Sequence, residues 1–92
     1  MKFKYSLRLR LRGQNFYKNI DSPVPMHKGE SLTVDLPGPT IYCRIDDIDH
    51  AVSTRPYNVS VILVPTKDRG DYERESEAKL LELLKKSGWE WA

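Results

Sequence analysis

Only one cysteine, two histidines and no long apolar run occur among the 92 residues of this chain. Because Cys43 has no second cysteine to pair with, an internal disulfide is impossible, which excludes the small secreted scaffolds held together by several disulfides. No apolar stretch approaches the roughly 20 residues of a membrane span, and the N-terminal residues lack the apolar segment of a signal peptide. We therefore expect a cytoplasmic protein that makes no membrane contact.

The sequence also lacks the spacings of metal and catalytic motifs, such as paired cysteines or paired histidines on one helical turn. A nucleophilic role for Cys43 would need an activating base, and neither His27 nor His50 has a sequence context that marks it as one. A single domain over residues 1–92 buries only roughly 60–65% of its unfolded surface, which leaves little room for a deep cavity. We expect no enzyme activity, no cofactor and no metal.

The segment of residues 2–12 has the strongest pattern in the chain, an alternation of apolar residues with cationic or polar ones. Successive side chains of a β-strand point to opposite faces, so the segment predicts a strand with one buried row and one basic row. A turn signal at Gly13 and renewed alternation over residues 16–20 predict a β-hairpin. The expected buried row of the first strand is Phe3, Tyr5, Leu7, Leu9 and Leu11.

Three further stretches predict the rest of a sheet. Residues 32–36 alternate and end in a tight turn that contains proline and glycine. The next strand changes the parity of its apolar residues partway along, which predicts a β-bulge at Asp46 and Asp47. Residues 57–64 are apolar on both faces toward their end, which favours a central strand that Pro65 ends.

The C-terminal region predicts one helix, because Leu80, Leu81 and Leu84 have helical spacing. Asp71 is the expected N-cap, and Gly88 is the expected stop signal. Short connections between the strands favour antiparallel pairing. The chain is therefore predicted to be an α+β domain, with a curled antiparallel sheet or small open β-barrel of about four or five strands and one C-terminal helix.

The first candidate site is the basic face of the N-terminal strand. Its cations repeat at roughly 6.6–6.8 Å, close to the phosphate spacing of nucleic acid, and a nearby tyrosine is suited to stacking on bases. The alternative is a solvated face, or one neutralised by acidic segments of the same fold. We define the basic face as Lys2, Lys4, Arg8, Arg10, Arg12 and Tyr17.

Two smaller groups are further binding candidates. The acidic turn, consisting of Asp46, Asp47 and Asp49, is expected at the surface, where it pairs with the basic strand or with a partner. An aromatic patch is expected near the C-terminus, because tryptophan and tyrosine are common at the centre of protein interfaces. We define it as Tyr57, Tyr72 and Trp91, whereas Trp89 is expected to fold back onto the helix.

These observations favour a small non-enzymatic binding module that recognises a protein partner through charged strand faces and an aromatic C-terminal tail, in an accessory or inhibitor role. Segregated charge of this kind raises association rates and narrows the choice of partner. The alternative function is binding of RNA or single-stranded DNA on the basic face. Self-association, with a basic strand of one copy against an acidic strand of another, is left open.

Overall fold

The computed structural model describes residues 3–50, 59–70 and 75–91. The described residues form one sheet with strand order β3-β4-β5-β1-β2-β6, and one helix. The elements in chain order are β1 (Phe3–Leu11), β2 (Gln14–Ser22), β3 (Ser31–Asp35), β4 (Thr40–His50), β5 (Val59–Gly70), α1 (Glu77–Lys86) and β6 (Glu90–Trp91).

The sheet curls into a half-barrel, and the chain is an α+β domain with one C-terminal helix, as the sequence predicts. The described residues form six strands, however, and the sheet is mixed. Strands β1 and β5 run parallel, whereas the other pairings are antiparallel. Short connections predicted only the antiparallel pairs, because the chain from β1 to β5 passes through three other strands before it returns.

The hairpin of β1 and β2 is closed by the two residues Arg12 and Gly13. Both have positive φ, 50° and 77° respectively. A two-residue turn with two positive φ angles matches the right-handed twist of the strands that it connects. It brings the two longest alternating stretches of the N-terminal region into register, with Leu11 opposite Gln14 and Phe3 opposite Ser22.

The pairing of β4 with β5 contains two irregularities. The register shifts between Ile45 and Asp47, which confirms the predicted bulge and makes Asp46 the extra residue. The second shift lies between Ile41 and Cys43. The expectation that Pro65 ends the strand is wrong, because Pro65 pairs with Cys43 and β5 continues to Gly70. The pairing of β5 with β1 ends at Leu63, so Pro65, which has no backbone donor, pairs only with β4 among the described strands.

One face of the sheet, the inner face, forms the core. Its side chains come from alternate positions of β1, β4 and β5, and from β2 and β3 at the sides. The predicted apolar row of β1 is buried except at Phe3, which is half-buried. The most deeply buried side chains are Leu9, Ile41, Cys43, Ile45, Val61, Leu63 and Leu84.

Helix α1 covers this inner face with Leu80, Leu83 and Leu84, all of which are buried. The expectation of an N-cap at Asp71 is wrong, because the helix begins at Glu77 and Ser76 is the cap. The Ser76 hydroxyl accepts a hydrogen bond of 3.2 Å from the Lys79 amide.

The end of α1 follows the sequence prediction. Gly88 has a φ of 90°, the left-handed conformation that commonly ends helices. The Trp89 amide then donates to the Leu84 carbonyl at 3.0 Å, and only 5% of the Trp89 surface is exposed. Trp89 therefore folds back onto the helix as expected. No helix in the described part of the chain is both long and apolar enough to cross a membrane.

Candidate binding face

The face of the sheet opposite the core, the outer face, has no helix packed against it among the described residues. Its central side chains come from the four adjacent strands β4, β5, β1 and β2, at the positions that alternate with the core residues. The part used below consists of Arg8 and Arg10 on β1, Tyr17 on β2, Ile62 and Val64 on β5, and Arg44, Asp47 and Asp49 on β4.

The cationic row lies on β1. Arg8 is directly opposite Tyr17 on β2, and its guanidinium carbon lies 5.3 Å from the centre of the tyrosine ring. This is the geometry of a cation–π contact. The Arg8 Nε is buried and has no hydrogen-bond partner among the described residues. Arg10, two residues further along the same row, is exposed.

An apolar strip on β5 separates this row from the acidic residues. Ile62 points away from the core, yet only 8% of its surface is exposed. It is opposite Arg8 on one side and Asp47 on the other. Val64 lies opposite Arg44 and is half-buried. The centre of the outer face is therefore apolar and its flanks are charged.

The acidic row lies on β4, where the pairs Asp47 with Ile62 and Asp49 with Ser60 place both carboxylates on the outer face. Strand β5 lies between β4 and β1, so the acidic and cationic rows are about 10 Å apart, twice the distance between adjacent strands. No salt bridge joins the two rows within the described residues. The acidic turn therefore forms no ion pair with Arg8 or Arg10, which answers for these two residues an alternative that the sequence leaves open.

Other members of the basic face do have partners inside the protein. Lys4 Nζ lies 3.3 Å from Asp21 Oδ1 on the neighbouring strand. Arg12 lies in the hairpin turn, and its Nη2 donates to the Glu75 carbonyl at 3.1 Å. The bulged Asp46 has its Oδ1 3.6 Å from an Arg44 guanidinium nitrogen. Lys2 lies outside the described residues.

The predicted aromatic patch is described only in part, because Tyr57 and Tyr72 lie outside the described residues. Trp91 lies on β6 opposite Phe16, at the edge of the sheet, with 52% of its surface exposed. Phe16 is a core residue, so Trp91 is on the inner side of the sheet, whereas Tyr17 is on the outer side. Trp91 therefore lies on the inner side of the sheet edge and does not belong to the outer face.

The sequence patterns do not mark three residues of this face as site residues: Arg44, Ile62 and Val64. Arg44 stands apart in the sequence from the basic strand, but the sheet brings it to the same face. The sequence predicts Ile62 and Val64 as the second apolar row of a central strand covered on both sides, whereas no described helix packs on this row. The sequence signal that could identify Ile62 and Val64 is this second apolar row, since it marks a strand with apolar side chains on both faces.

The cysteine and the two histidines, which have reactive side chains, lie outside the outer face. Burial raises the pKa of the Cys43 thiol to about 12, so the thiol stays protonated at neutral pH. His27 Nδ1 lies 3.2 Å from Glu30 Oε1 at the surface, and His50 is exposed at the end of β4. Within the described ranges, no group of three or more His, Cys, Asp or Glu residues is arranged to hold a metal ion.

One cleft among the described residues lies at the edge of the sheet and is small. It has a volume of about 160 Å³ and is lined by Tyr17, Lys18, Asn19, Gly88 and Glu90. Sites for small organic ligands usually enclose about 300 Å³ or more. The Lys18 ammonium in this cleft already donates to the Ser87 carbonyl at 2.7 Å. This cleft is therefore smaller than a usual site for a small organic ligand, and one of its cations is already engaged.

The chain matches no family model, no curated protein and no solved structure.

Proposed function

We propose that this protein is a non-enzymatic binding module that recognises a partner protein through the outer face of its sheet. The observation that carries the proposal is the arrangement of three strips on this face, which no described helix covers: the Arg8 and Arg10 row, the Ile62 and Val64 strip, and the Asp47 and Asp49 row. Protein interfaces commonly combine an apolar centre with a polar rim, and complementary charge fixes the orientation of the partner.

The same arrangement favours a protein over a polyanion as the partner. Asp47 and Asp49 flank the cationic row on one side, and Glu90 is paired with Tyr17 on the other. A nucleic acid lying along Arg8 and Arg10 would pass close to these carboxylates, which repel phosphate. A protein surface with an acidic strip and a basic strip in the reverse order would satisfy both rows at once.

The exposed ring of Trp91 gives the proposed interface an aromatic contact at the edge of the sheet. Tryptophan contributes large binding energies when a partner covers it. A partner that lies over the outer face and extends around β6 would bury this ring. The cytoplasm suits such a module, since its one cysteine is a protonated, buried thiol.

The proposal is tested with a charge-reversed bait and a matched control. Arg10→Glu changes the outer face, whereas Lys85→Glu changes an equally exposed cation on the helix. Each protein is used to capture partners from an extract of the source cells, and a captured protein is then purified for titration calorimetry. We expect Arg10→Glu to weaken binding about tenfold or more and Lys85→Glu to leave it unchanged. Equal binding by both variants would reject the outer face.

The second candidate function is binding of RNA or single-stranded DNA, and the stacking of Arg8 on Tyr17 is the observation that favours it. Such a pair resembles the cationic and aromatic surfaces that hold single strands. The test is fluorescence anisotropy of labelled single strands at several salt concentrations. Binding that weakens linearly in log salt, and that Arg8→Gln with Arg10→Gln abolishes, would establish this function in place of the first.

A further inference from the structure

We propose that the open edge of β3 binds an extended peptide segment of a partner protein as an additional strand of the sheet, with basic side chains toward the ends of the segment. This inference concerns a different surface from the outer face and does not depend on the function proposed above. The main chain of β3 supplies the hydrogen bonds, and the residues around it determine which peptide fits.

The hydrogen bonds at the two ends of β3 show which main-chain groups point outward. The Ile45 amide donates to the Glu30 carbonyl at 2.8 Å, and the Leu36 amide donates to the Pro39 carbonyl at 3.1 Å. Residues with directly bonded main chains alternate along an antiparallel pair, so the even-numbered residues of β3 face β4. The amide and carbonyl groups of Ser31, Thr33 and Asp35 therefore point away from the sheet.

These groups have no strand beside them in the described part of the chain, because β3 is the last strand of the sheet on this side. Natural proteins usually protect such an edge with lysine, proline or a bulge. Strand β3 contains no lysine and no proline, and its pairing with β4 is regular over all five residues. The opposite edge differs, because β6 covers the middle of β2 at Phe16 and Tyr17.

The side chains of β3 define the pattern of the added strand. Leu32 is half-buried and Val34 is buried on the inner side, so apolar residues of the added strand would extend the core beside them. Thr33 is exposed and short on the outer side, which leaves room for long polar side chains. A segment that alternates apolar and polar residues fits this edge.

The charges beside the edge select a basic segment from another protein. Glu30 and Asp35 are exposed at the two ends of β3. In a symmetric antiparallel pairing of two copies, Asp35 of each copy would lie beside Ser31 and close to Glu30 of the other. Like charges placed opposite each other destabilise a strand pair, so a second copy is a poor partner. Lysine or arginine near the ends of a foreign strand would instead be attracted by both carboxylates.

The experiment uses a capped seven-residue peptide of alternating lysine and valine, titrated into ¹⁵N-labelled protein and followed by NMR. We expect shift changes at Ser31, Thr33 and Asp35, and slower hydrogen exchange of these three amides in the complex. The amides of Leu32 and Val34, already bonded to β4, should change little in exchange rate. Shift changes confined to Asp47 and Asp49 would overturn the proposal, since they would show nonspecific attraction to the acidic row.

Two N-methylated forms of the peptide provide the matched control. An antiparallel added strand bonds to β3 through its lysine residues, because they share the outer side with Thr33, whereas a parallel strand bonds through its valine residues. Methylating the amides of one set should therefore abolish binding, while methylating the other set should leave it unchanged. Equal binding of both methylated peptides would overturn the proposal, since main-chain hydrogen bonds would then have no role.

A variant of β3 tests the same main-chain hydrogen bonds by changing the protein instead of the peptide. Thr33→Pro removes an amide that points outward and keeps the bonds between β3 and β4, whereas Thr33→Ala keeps that amide. We expect Thr33→Pro to weaken peptide binding about tenfold or more, because one main-chain hydrogen bond is lost and the edge is blocked. If Thr33→Pro does not fold, the methylated peptides still decide the question. Dimerisation of the unmodified protein through β3 would overturn the choice of a foreign partner.

Discussion

The inner and outer faces of this sheet are built from alternate residues of the same strands, yet they have opposite characters. On β1, the core residues Leu7 and Leu9 are buried, whereas Arg8 and Arg10 between and beside them lie on the outer face. The inner face is closed by α1, and the outer face has no covering element among the described residues. One set of positions therefore forms the core, and the neighbouring set lies on a face that no described helix covers.

Truncating one residue on each face of β1 should give the largest difference in stability between the two faces. Leu9→Ala removes a side chain with no exposed surface and should lower the free energy of unfolding by about 3 kcal/mol. Arg10→Ala, one residue away on the outer face, should change it by less than about 0.5 kcal/mol. Urea titrations of both variants measure these values. Equal losses would show that the two faces do not divide stability and binding.

The protonated thiol of the inner face gives a pH test. Burial raises the pKa of Cys43 from 9.0 to about 12, so above pH 9 the unfolded chain loses a proton that the folded protein keeps. Stability should therefore fall as pH rises, by at most about 1.4 kcal/mol for each pH unit between these values. Cys43→Ala should lose this part of the pH dependence. Identical slopes for both proteins from pH 9 to 11 would contradict the burial of the thiol.

The attachment of the helix to the inner face is probed at its cap. Ser76→Ala leaves the Lys79 amide without its side-chain acceptor and should lower the free energy of unfolding by about 1 kcal/mol. Ser76→Asp keeps an acceptor and should retain the stability of the natural protein. Thermal unfolding followed by circular dichroism compares the three proteins. If Ser76→Asp is as unstable as Ser76→Ala, the cap is not the cause.

The smallest expected effect concerns the contact of Arg8 with Tyr17 on the outer face. A double-mutant cycle with Arg8→Gln and Tyr17→Leu should give a coupling of about 0.5–1 kcal/mol in the free energy of unfolding. A coupling of this size would show that one pair on the outer face is already ordered before any partner binds. A coupling of zero would mean that Arg8 and Tyr17 are independent and that the outer face contributes nothing measurable here.

Much of the local structure could be predicted because its signals lie within a few residues. The alternation around Leu9 gave the two rows of β1, and the change of parity before Ile48 gave the bulge that the structure has at Asp46. The stop at Gly88 and the burial of Trp89 also followed from local rules. The helix start at Ser76 was missed, because Asp71 is an equally suitable capping residue and local sequence does not choose between them.

The candidate site was harder to predict because it depends on which strands are neighbours. The sequence leaves open whether the acidic turn pairs with the basic strand, and the structure places β5 between them. Pro65 suggests the end of a strand that in fact continues to Gly70, because Pro65 lies beyond the last β5 residue that pairs with β1 and its missing donor interrupts no pairing there. Neither outcome has a signal within a short window of residues.

Local sequence is enough to predict the two-residue periodicity of the strands, the bulge and the apolar stripe of the helix, because each of these is a property of neighbouring residues. The parallel pairing of β1 with β5 depends on the tertiary structure. The same holds for the position of Arg44 on the outer face. It also holds for the separation of Arg8 and Arg10 from Asp47 and Asp49. The physical reason is that long-range pairing results from burying all the apolar rows together, and the side-chain pattern of a strand does not specify which strand lies beside it.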